Sequence, residues 1–454
     1  MTPRRRSILA VTLAAFVVAY SAGCSTSSRS ATSTTTSLAP SATDGATSST
    51  TTPAAAAIVF ATVDGAIDAY LSVPPYTRQR VIAAGTAPNG NEPHGQICFA
   101  PDGSRRFVVA ETKAADTTPA SAGWGLYQLT GDDVGALRVR RVSGWTSPSG
   151  IATDDPTTYG CAFLSDGRLL TSDVGNQRSG DATGRLVEWF PPYEDGAPTS
   201  CVLSSTLATP LGLSSDAADN VYLASARAPT VGVWRYSGTF PSDATGCVTA
   251  TTGPAPPNTT TTTPDSGTPP TTSPGPTVTR GSGPDANGGG DPSGNGRSTA
   301  TPAAVTATLL IPPAAGPASA PTSVAATPDG LSLVVSSAPF GSIAAYGSDG
   351  VVNTPILSDP SGAMVAKTPF SGGTPLGVAV GPDGVVFYAD PGLVQGVDGV
   401  IAPGDKTGTI RRLATSPGFA SPPPPDPLDT NLRAPDGLGL YLGVSPQSGG
   451  ASKA

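Results

Sequence analysis

One histidine serves the whole 454-residue chain, and it stands directly before a glycine. His94-Gly95 opens the phrase PHGQICFAPDG at 93–103, and related phrases follow down the sequence. They read YGCAFLSDG at 159–167, PLGLSSDAADN at 210–220, PTSVAATPDG at 321–330, PLGVAVGPDG at 375–384 and PDGLGLYLG at 435–443. The residue before each opening position is His94, Tyr159, Leu211, Thr322, Leu376 and Asp436 in turn. If the phrases are arranged in a ring, His94 and Asp436 become neighbours and Tyr159 joins them from the other side. A carboxylate beside an imidazole raises the histidine's pKa and makes an acid/base pair. His94, Asp436 and Tyr159 are therefore the candidate catalytic residues, and Asp436 is the candidate metal ligand. The alternative role for Asp436 is a turn cap, and for His94 a polar residue on a channel rim. A second polar ring is expected where the following strands end, at Glu111, Asp173, Arg227 and Asp390. Asp173-Val174-Gly175-Asn176-Gln177 and Asp390-Pro391-Gly392 are candidate ligand loops, although Asp before Gly more often marks a turn.

The elements that must position these residues are strands. A fixed phrase at a period of 50 to 65 residues signals a repeat architecture. Most copies carry an Asp-Gly turn followed by an apolar run such as Arg106-Phe107-Val108-Val109-Ala110 or Val385-Val386-Phe387-Tyr388. Asp-Gly between such runs is a strong hairpin signal, because glycine tolerates the positive φ of a tight turn. A third strand follows at 125–129, 185–189, 232–236, 342–346 and 408–413, and a fourth is expected at 137–142, 201–207 and 248–252. Four-stranded antiparallel units repeated radially are β-propeller blades. The opening positions Gly95, Gly160, Gly212, Ser323, Gly377 and Gly437 are spaced by 65, 52, 111, 54 and 60 residues. The long interval contains a Thr/Pro/Gly-rich stretch, 251–303, expected to be a disordered insertion. The fold class is thus an all-β, six-bladed β-propeller over 57–445. Blade six is closed by the N-terminal strands at 57–61, 65–70 and 80–82 together with the C-terminal strand, which removes two exposed edges.

The N-terminus carries an export signal over 1–23, with Arg4, Arg5 and Arg6 before an apolar segment too short to span a membrane. Ser21-Ala22-Gly23-Cys24 resembles the lipobox of bacterial lipoproteins, with Ser21 where that pattern usually has Leu. The resemblance implies lipidation at Cys24 and a position on the outer face of the bacterial plasma membrane, with possible release to the exterior. Arg5-Arg6 also loosely resembles a twin-arginine signal. Residues 24–56 are a Ser/Thr/Ala tether with few bulky apolar side chains, and 446–454 form a tail; both are expected to be disordered. The abundance of Ala, Gly, Pro and Thr resembles that of high-GC actinobacterial proteins.

The formal net charge is −8. The signal holds three of the 25 basic residues and no acid, so the mature chain stands at −11. That balance argues against nucleic acid as a partner. The expected partners are the plasma membrane, through lipidated Cys24, and an unknown small-molecule or protein ligand, with the propeller itself a monomer.

The phrases resemble NHL-like six-bladed propellers, and among them the regucalcin/gluconolactonase superfamily. The resemblance implies a calcium or other divalent ion in the central channel, held partly by side chains just before the opening glycines, and lactonase-like hydrolysis. Only Asp436 matches that ligand pattern; Leu211 and Leu376 cannot bind a metal, and calcium wants six to eight oxygens. Residues 160–170 also look like a blade of the quinoprotein sugar dehydrogenases, but one histidine and four lysines supply little of that site. No Gly-x-Ser-x-Gly elbow, Walker loop or His-Glu-x-x-His occurs. The favoured expectation is a tethered binding propeller without catalysis, for which Trp124, Trp145, Trp189 and Trp234 are candidate surface aromatics, with blade packing as the preferred alternative role of each. A metal-dependent lactonase-like hydrolase is the alternative, and a quinoprotein-like oxidoreductase ranks below it.

Four cysteines remain after Cys24, and an even number in an exported chain implies disulfides. With Cys98 and Cys161 on adjacent inner strands, and Cys201 and Cys247 on adjacent outer strands, the pairing is Cys98–Cys161 and Cys201–Cys247. Each bridge would stabilise the fold by roughly 3–4 kcal/mol in the chain-entropy model. Non-reducing peptide mapping should recover these two pairs; a Cys98–Cys201 peptide would refute the blade assignment of the cysteines.

Overall fold

A computed structural model describes residues 57–87, 90–112, 122–131, 133–148, 158–175, 182–253, 304–313, 317–339, 341–357, 373–395, 401–413 and 425–443. The signal, the tether, most of the insertion and the C-terminal tail lie outside the described residues. No helix in the described part is long and apolar enough to cross a membrane.

Six sheets, antiparallel but for one short added strand in blade three, form the six blades of a propeller. Blade one runs from Glu92–Phe99 through Arg106–Thr112 and Ala122–Thr130 to Arg138–Thr146. Blade two follows with Thr158–Phe163, Leu169–Asp173, Gly184–Phe190 and Thr199–Leu207. The inner strands of blades three, four and five are Pro210–Ser215, Ser323–Ala326 and Gly377–Val380. In blade six the C-terminal strand Pro435–Tyr441 is innermost and pairs with Ile58–Val63, Phe60 opposite Gly439. Ala66–Leu71 and Arg78–Ile82 complete that blade, as the truncated sixth phrase requires.

Each strand in the middle of a blade is covered on both faces, which explains its continuous apolar run. In Arg106–Thr112, Phe107 and Val109 pack into the seam with blade six, while Val108 and Ala110 face blade two. The same period-two division operates around the ring, so every pair of neighbouring blades shares its own apolar cluster. The hairpin after the first phrase places Gly103 at φ 71°, the left-handed region glycine favours. Blade three has no glycine there, and Asp219 takes that conformation instead, at φ 58°.

Blade three differs from the expectation in its fourth strand. The partner of Gly232–Thr239 is Ala304–Ile311, beyond the insertion, with Trp234 opposite Leu309. Val305, Ala307, Leu310 and Ile311 are buried, whereas Val248 and Ala250 are only partly so; the stronger apolar strand takes the place. Thr251–Thr252, where the expected strand 248–252 overlaps the expected insertion, adds as a short fifth strand, parallel to Ala304–Ile311. Cys247 is correspondingly not on an outer strand. It follows a short 3-10 turn, Ala244–Gly246, capped by Asp243.

The disulfides are Cys98–Cys161, with 6.0 Å between Cα atoms, and Cys201–Cys247, with 5.4 Å. Both tie one blade to the next.

The opening glycines mark places where inner strands nearly touch. A Cβ on Gly160 would overlap the Leu211 carbonyl of blade three, and one on Gly437 would overlap the Gly95 carbonyl of blade one. Hydroxyls on the adjoining second strands stitch the same seams. Ser172 Oγ accepts from Gly160 N–H at 2.8 Å and donates to Leu211 O at 2.7 Å. Ser336 Oγ donates to Leu376 O at 3.2 Å, and Thr62 Oγ1 accepts from Gly437 N–H at 2.9 Å with Gly95 O 3.0 Å away. Gly160→Ala should therefore destabilise by several kcal/mol through overpacking against fixed backbone. Ser172→Ala should cost about 1–3 kcal/mol, because it leaves a buried N–H unpaired. Urea unfolding of the two variants measures both; a neutral Gly160→Ala would disprove the close-approach account.

Candidate functional site

His94, Tyr159 and Asp436 do come together where blades six, one and two meet, and all three are buried. His94 Nε2 lies 2.6 Å from Thr158 O and 3.2 Å from Thr112 Oγ1. A carbonyl only accepts, so Nε2 carries a proton and donates it to Thr158 O. Nδ1 is 3.4 Å from Glu92 O. The histidine thereby pins the inner strand of blade one to that of blade two.

Asp436 is the buried acid of the group. Thr62 Oγ1 is 2.5 Å from its Oδ1, and the Gly95 N–H also bonds the carboxylate. Burial raises its pKa; the charge of His94, Thr62 and backbone N–H groups oppose the shift. The hydroxyl of Thr62 has a single proton, which couples the seam to the state of the acid. While Asp436 is ionised, Thr62 donates to it. Once Asp436 is protonated, the acid can donate to Thr62, and Thr62 can turn its own proton to Gly95 O.

Tyr159 reaches across the axis from blade two to blade six. Its hydroxyl donates to the Asp436 carbonyl at 2.6 Å, not to the carboxylate. Burial, helped by the nearby Asp436 charge, pushes the phenol well above its ordinary pKa, so it remains a donor. The neighbouring pre-glycine positions are apolar or internally satisfied. Tyr159, Leu211, Leu376, Val174, Ala226 and Leu393 belong to one buried cluster on the axis. Thr322, fully buried, lies within hydrogen-bond distance of Ser336 O and Pro375 O.

A residue that sequence reading missed also fills the centre. Gln96 extends from blade one past blade two to blade three. Its Oε1 accepts from Leu213 N–H at 2.7 Å and Cys161 N–H at 3.3 Å, and Nε2 donates to Leu213 O at 2.9 Å. The signal was available: Gly95 to Asp102 is one residue longer than Gly160 to Asp166. The extra residue becomes a bulge between His94 and Ile97.

The second polar ring resolves into separate structural sites. Glu111 accepts from Tyr127 Oη at 2.5 Å and from Arg141 Nε and a terminal nitrogen at 3.0 and 2.9 Å. Asp173 takes Ser147 Oγ at 3.0 Å and Arg185 at 3.2 Å, and burial pushes its pKa up to about 6. Arg227 is partly buried. Asp390 organises the turn after its own strand. Among the described residues no group of three or more His, Cys, Asp or Glu is placed to hold a metal ion. The tryptophans are not a surface patch: Trp124, Trp145 and Trp189 are buried, and Trp234 packs partly buried on the seam of blades two and three.

No protein-family model matches the sequence, and no curated protein matches it. Similar solved structures exist. A chain of a nidogen/laminin complex is 11% identical, with TM-score 0.43, over 85% of this chain and 97% of that chain. A Lactobacillus plantarum protein is 11% identical, with TM-score 0.41, over 85% and 99%. A putative 6-phosphogluconolactonase from Bacteroides fragilis is 9% identical, with TM-score 0.45, over 86% and 99%.

The raised pKa of Asp436 gives a signed prediction. A carboxyl whose folded pKa lies above its unfolded value stabilises the fold most below the ordinary carboxylate range, and that advantage is lost as pH rises through the folded value. The stability of the wild type relative to Asp436→Asn should therefore fall as pH rises from about 4 upward. Paired thermal melts across the acid and neutral range test this; a gap that widens with pH would reverse the assignment.

Proposed function

We propose that this protein is a lipid-anchored, surface-exposed propeller that binds a ligand or a protein partner and catalyses no reaction. The observation that carries the reading is the use of the three candidate catalytic side chains. His94 donates to a backbone carbonyl, Tyr159 donates to another, and Asp436 is engaged by Thr62 and Gly95. Each spends its polar atoms on holding strands together, in a region filled by Leu211, Leu376 and Gln96. A general base needs a substrate proton within about 3 Å or one water away, and this packing supports a scaffold more than a reaction chamber. Ligand recognition then belongs to the faces and loops of the propeller.

Anchoring rests on Ser21-Ala22-Gly23-Cys24 and on the tether behind it. A multiply acylated cysteine holds stably at a membrane where one chain would not. The mature charge of −11 suits a soluble body held off the surface and gives nucleic acid no attraction.

The competing reading is a metal-dependent, lactonase-like hydrolase, favoured by the single fact that a buried carboxylate and an imidazole lie close together. Its metal site would need further oxygen ligands beside Asp436, and the apolar pre-glycine positions supply none.

Three measurements test the proposal together. Elemental analysis should find no stoichiometric metal, calcium should leave the melting temperature unchanged, and δ-gluconolactone should hydrolyse at the buffer rate. Metal uptake with a calcium-dependent rise in melting temperature, or lactone turnover abolished by Asp436→Asn, would establish the hydrolase instead. Cys24→Ala should move the protein from the membrane fraction to the medium; unchanged fractionation would refute the lipid anchor.

A further inference from the structure

The two disulfides differ in access. Cys161 is 1% exposed, and its sulfur lies against backbone, 3.6 Å from Gln96 O and 3.8 Å from Val108 O. Its partner Cys98 is half-buried on the inner strand of blade one. The second bridge joins unlike ends. Cys201 is 1% exposed on the outer strand of blade two, whereas Cys247 is exposed and belongs to no strand. A thiolate attacks a disulfide in line with the S–S bond, so the sulfur facing solvent is struck and the one behind it leaves. In the second bridge Cys247 takes the attack and Cys201 departs into a buried place.

Beside Cys201 stands a carboxyl that no other account has used. Glu188 is directly opposite Cys201 in the register of blade two. Period-two alternation puts both on the face toward blade three, with Leu186, Phe190 and Leu203. Side chains paired in this way have Cβ atoms about 5 Å apart. Glu188 is fully buried; Oε1 accepts from Arg168 at 2.8 Å, and Oε2 has no partner among the described residues. Burial pushes its pKa up to about 8, against the pull of Arg168. Near neutral pH the acid is therefore mostly protonated. Because Oε1 accepts from Arg168, the proton sits on Oε2.

The bridge also fastens a strap. Residues 240–250 follow the third strand of blade three and cross toward blade two, where Phe240, Val248 and Ala250 pack on the shared apolar cluster. Two hydrogen bonds to blade two flank the bridge, from Arg168 to Pro241 O and from Ala250 N–H to Leu203 O at 2.8 Å. Most of the residues between them are exposed.

We propose that Cys201–Cys247 is a thiol-exchange site, opened at Cys247 by an exogenous thiol, with Glu188 as proton donor to the departing Cys201 sulfur. The incoming thiolate bonds to Cys247 Sγ as the S–S bond breaks. The electron pair of that bond stays on Cys201 Sγ, which takes the proton from Glu188 Oε2. A second thiolate then displaces the first from Cys247, whose sulfur takes its proton from water. The protein gains two thiols and the reductant leaves as a disulfide. Opening unfastens residues 240–250 from blade two, while Cys98–Cys161 still ties blade one to blade two. The inference stands apart from the choice between binding and hydrolysis.

Treating the folded mature protein with 2-mercaptoethanol, without denaturant, then alkylating and mapping peptides by mass, tests the site. The mixed disulfide should form on Cys247, with Cys201 alkylated, and this bridge should open at least tenfold faster than Cys98–Cys161. An adduct on Cys201, or equal opening of the two bridges, would overturn the site. The part played by Glu188 is read from a pH profile. The charged and titratable groups around it are Arg168, Asp166, Tyr193 and Tyr236, and burial holds both phenols above their ordinary pKa. The rate per thiolate should fall as pH rises through about 8, where the Glu188 proton is lost. It should stay level in Glu188→Gln, which keeps an acceptor for Arg168. A level wild-type profile would remove Glu188 from the exchange, and that profile decides by itself should the variant fold poorly.

Discussion

Everything in this propeller depends on how closely its inner strands approach one another around the axis. At Gly160 and Gly437 the approach leaves no room for a Cβ beside the next blade's carbonyl. Backbone that close must satisfy its polar groups across the seam, because water has no access. The residue on the second strand opposite the opening position alternates around the ring. It is Ala224 and Ala389 in blades three and five, with Ala110 opposite His94 beside the bulge of blade one, and Ser172, Ser336 and Thr62 in blades two, four and six. Each hydroxyl lies within bonding distance of a carbonyl of the following blade. The seams therefore alternate in chemistry, as though the structural unit were a pair of blades used three times.

The same closeness governs what chemistry the centre can support. Residues before the opening positions are all buried, so the polar side chains among them act as brackets. His94 joins blades one and two, Tyr159 joins two and six, and Gln96 joins one and three. A polar group buried without partners would cost more than these brackets contribute, which explains their near-complete pairing.

The fold was legible because its signals are local. The Asp-Gly hairpins, the doubly covered apolar runs and the glycine spacing each have a short-range physical cause, and together they count the blades. The shared sixth blade followed from a phrase that stops after one strand. What was illegible depended on competition or direction. Val248–Thr252 and Ala304–Ile311 both read as strands, and only the burial available beside Gly232–Thr239 decides between them. Nothing in Asp436's surroundings in sequence says that Thr62, 374 positions away, will meet its carboxylate. The three candidate residues were correctly gathered by the ring, but the sequence could not say that Tyr159 would bond a carbonyl.

Two blades are composite, and their positions matter. Blade three takes its fourth strand from beyond residue 303, and blade six takes its innermost strand from the chain's far end. Divided anywhere within 254–303, the polypeptide would yield two pieces, each finishing a sheet begun by the other at opposite ends of the ring. Both disulfides lie in the first piece, so no covalent link would remain between them. A nicked molecule would persist as a clasped pair of fragments, held by two interlocked sheets, and would come apart only when both clasps opened at once.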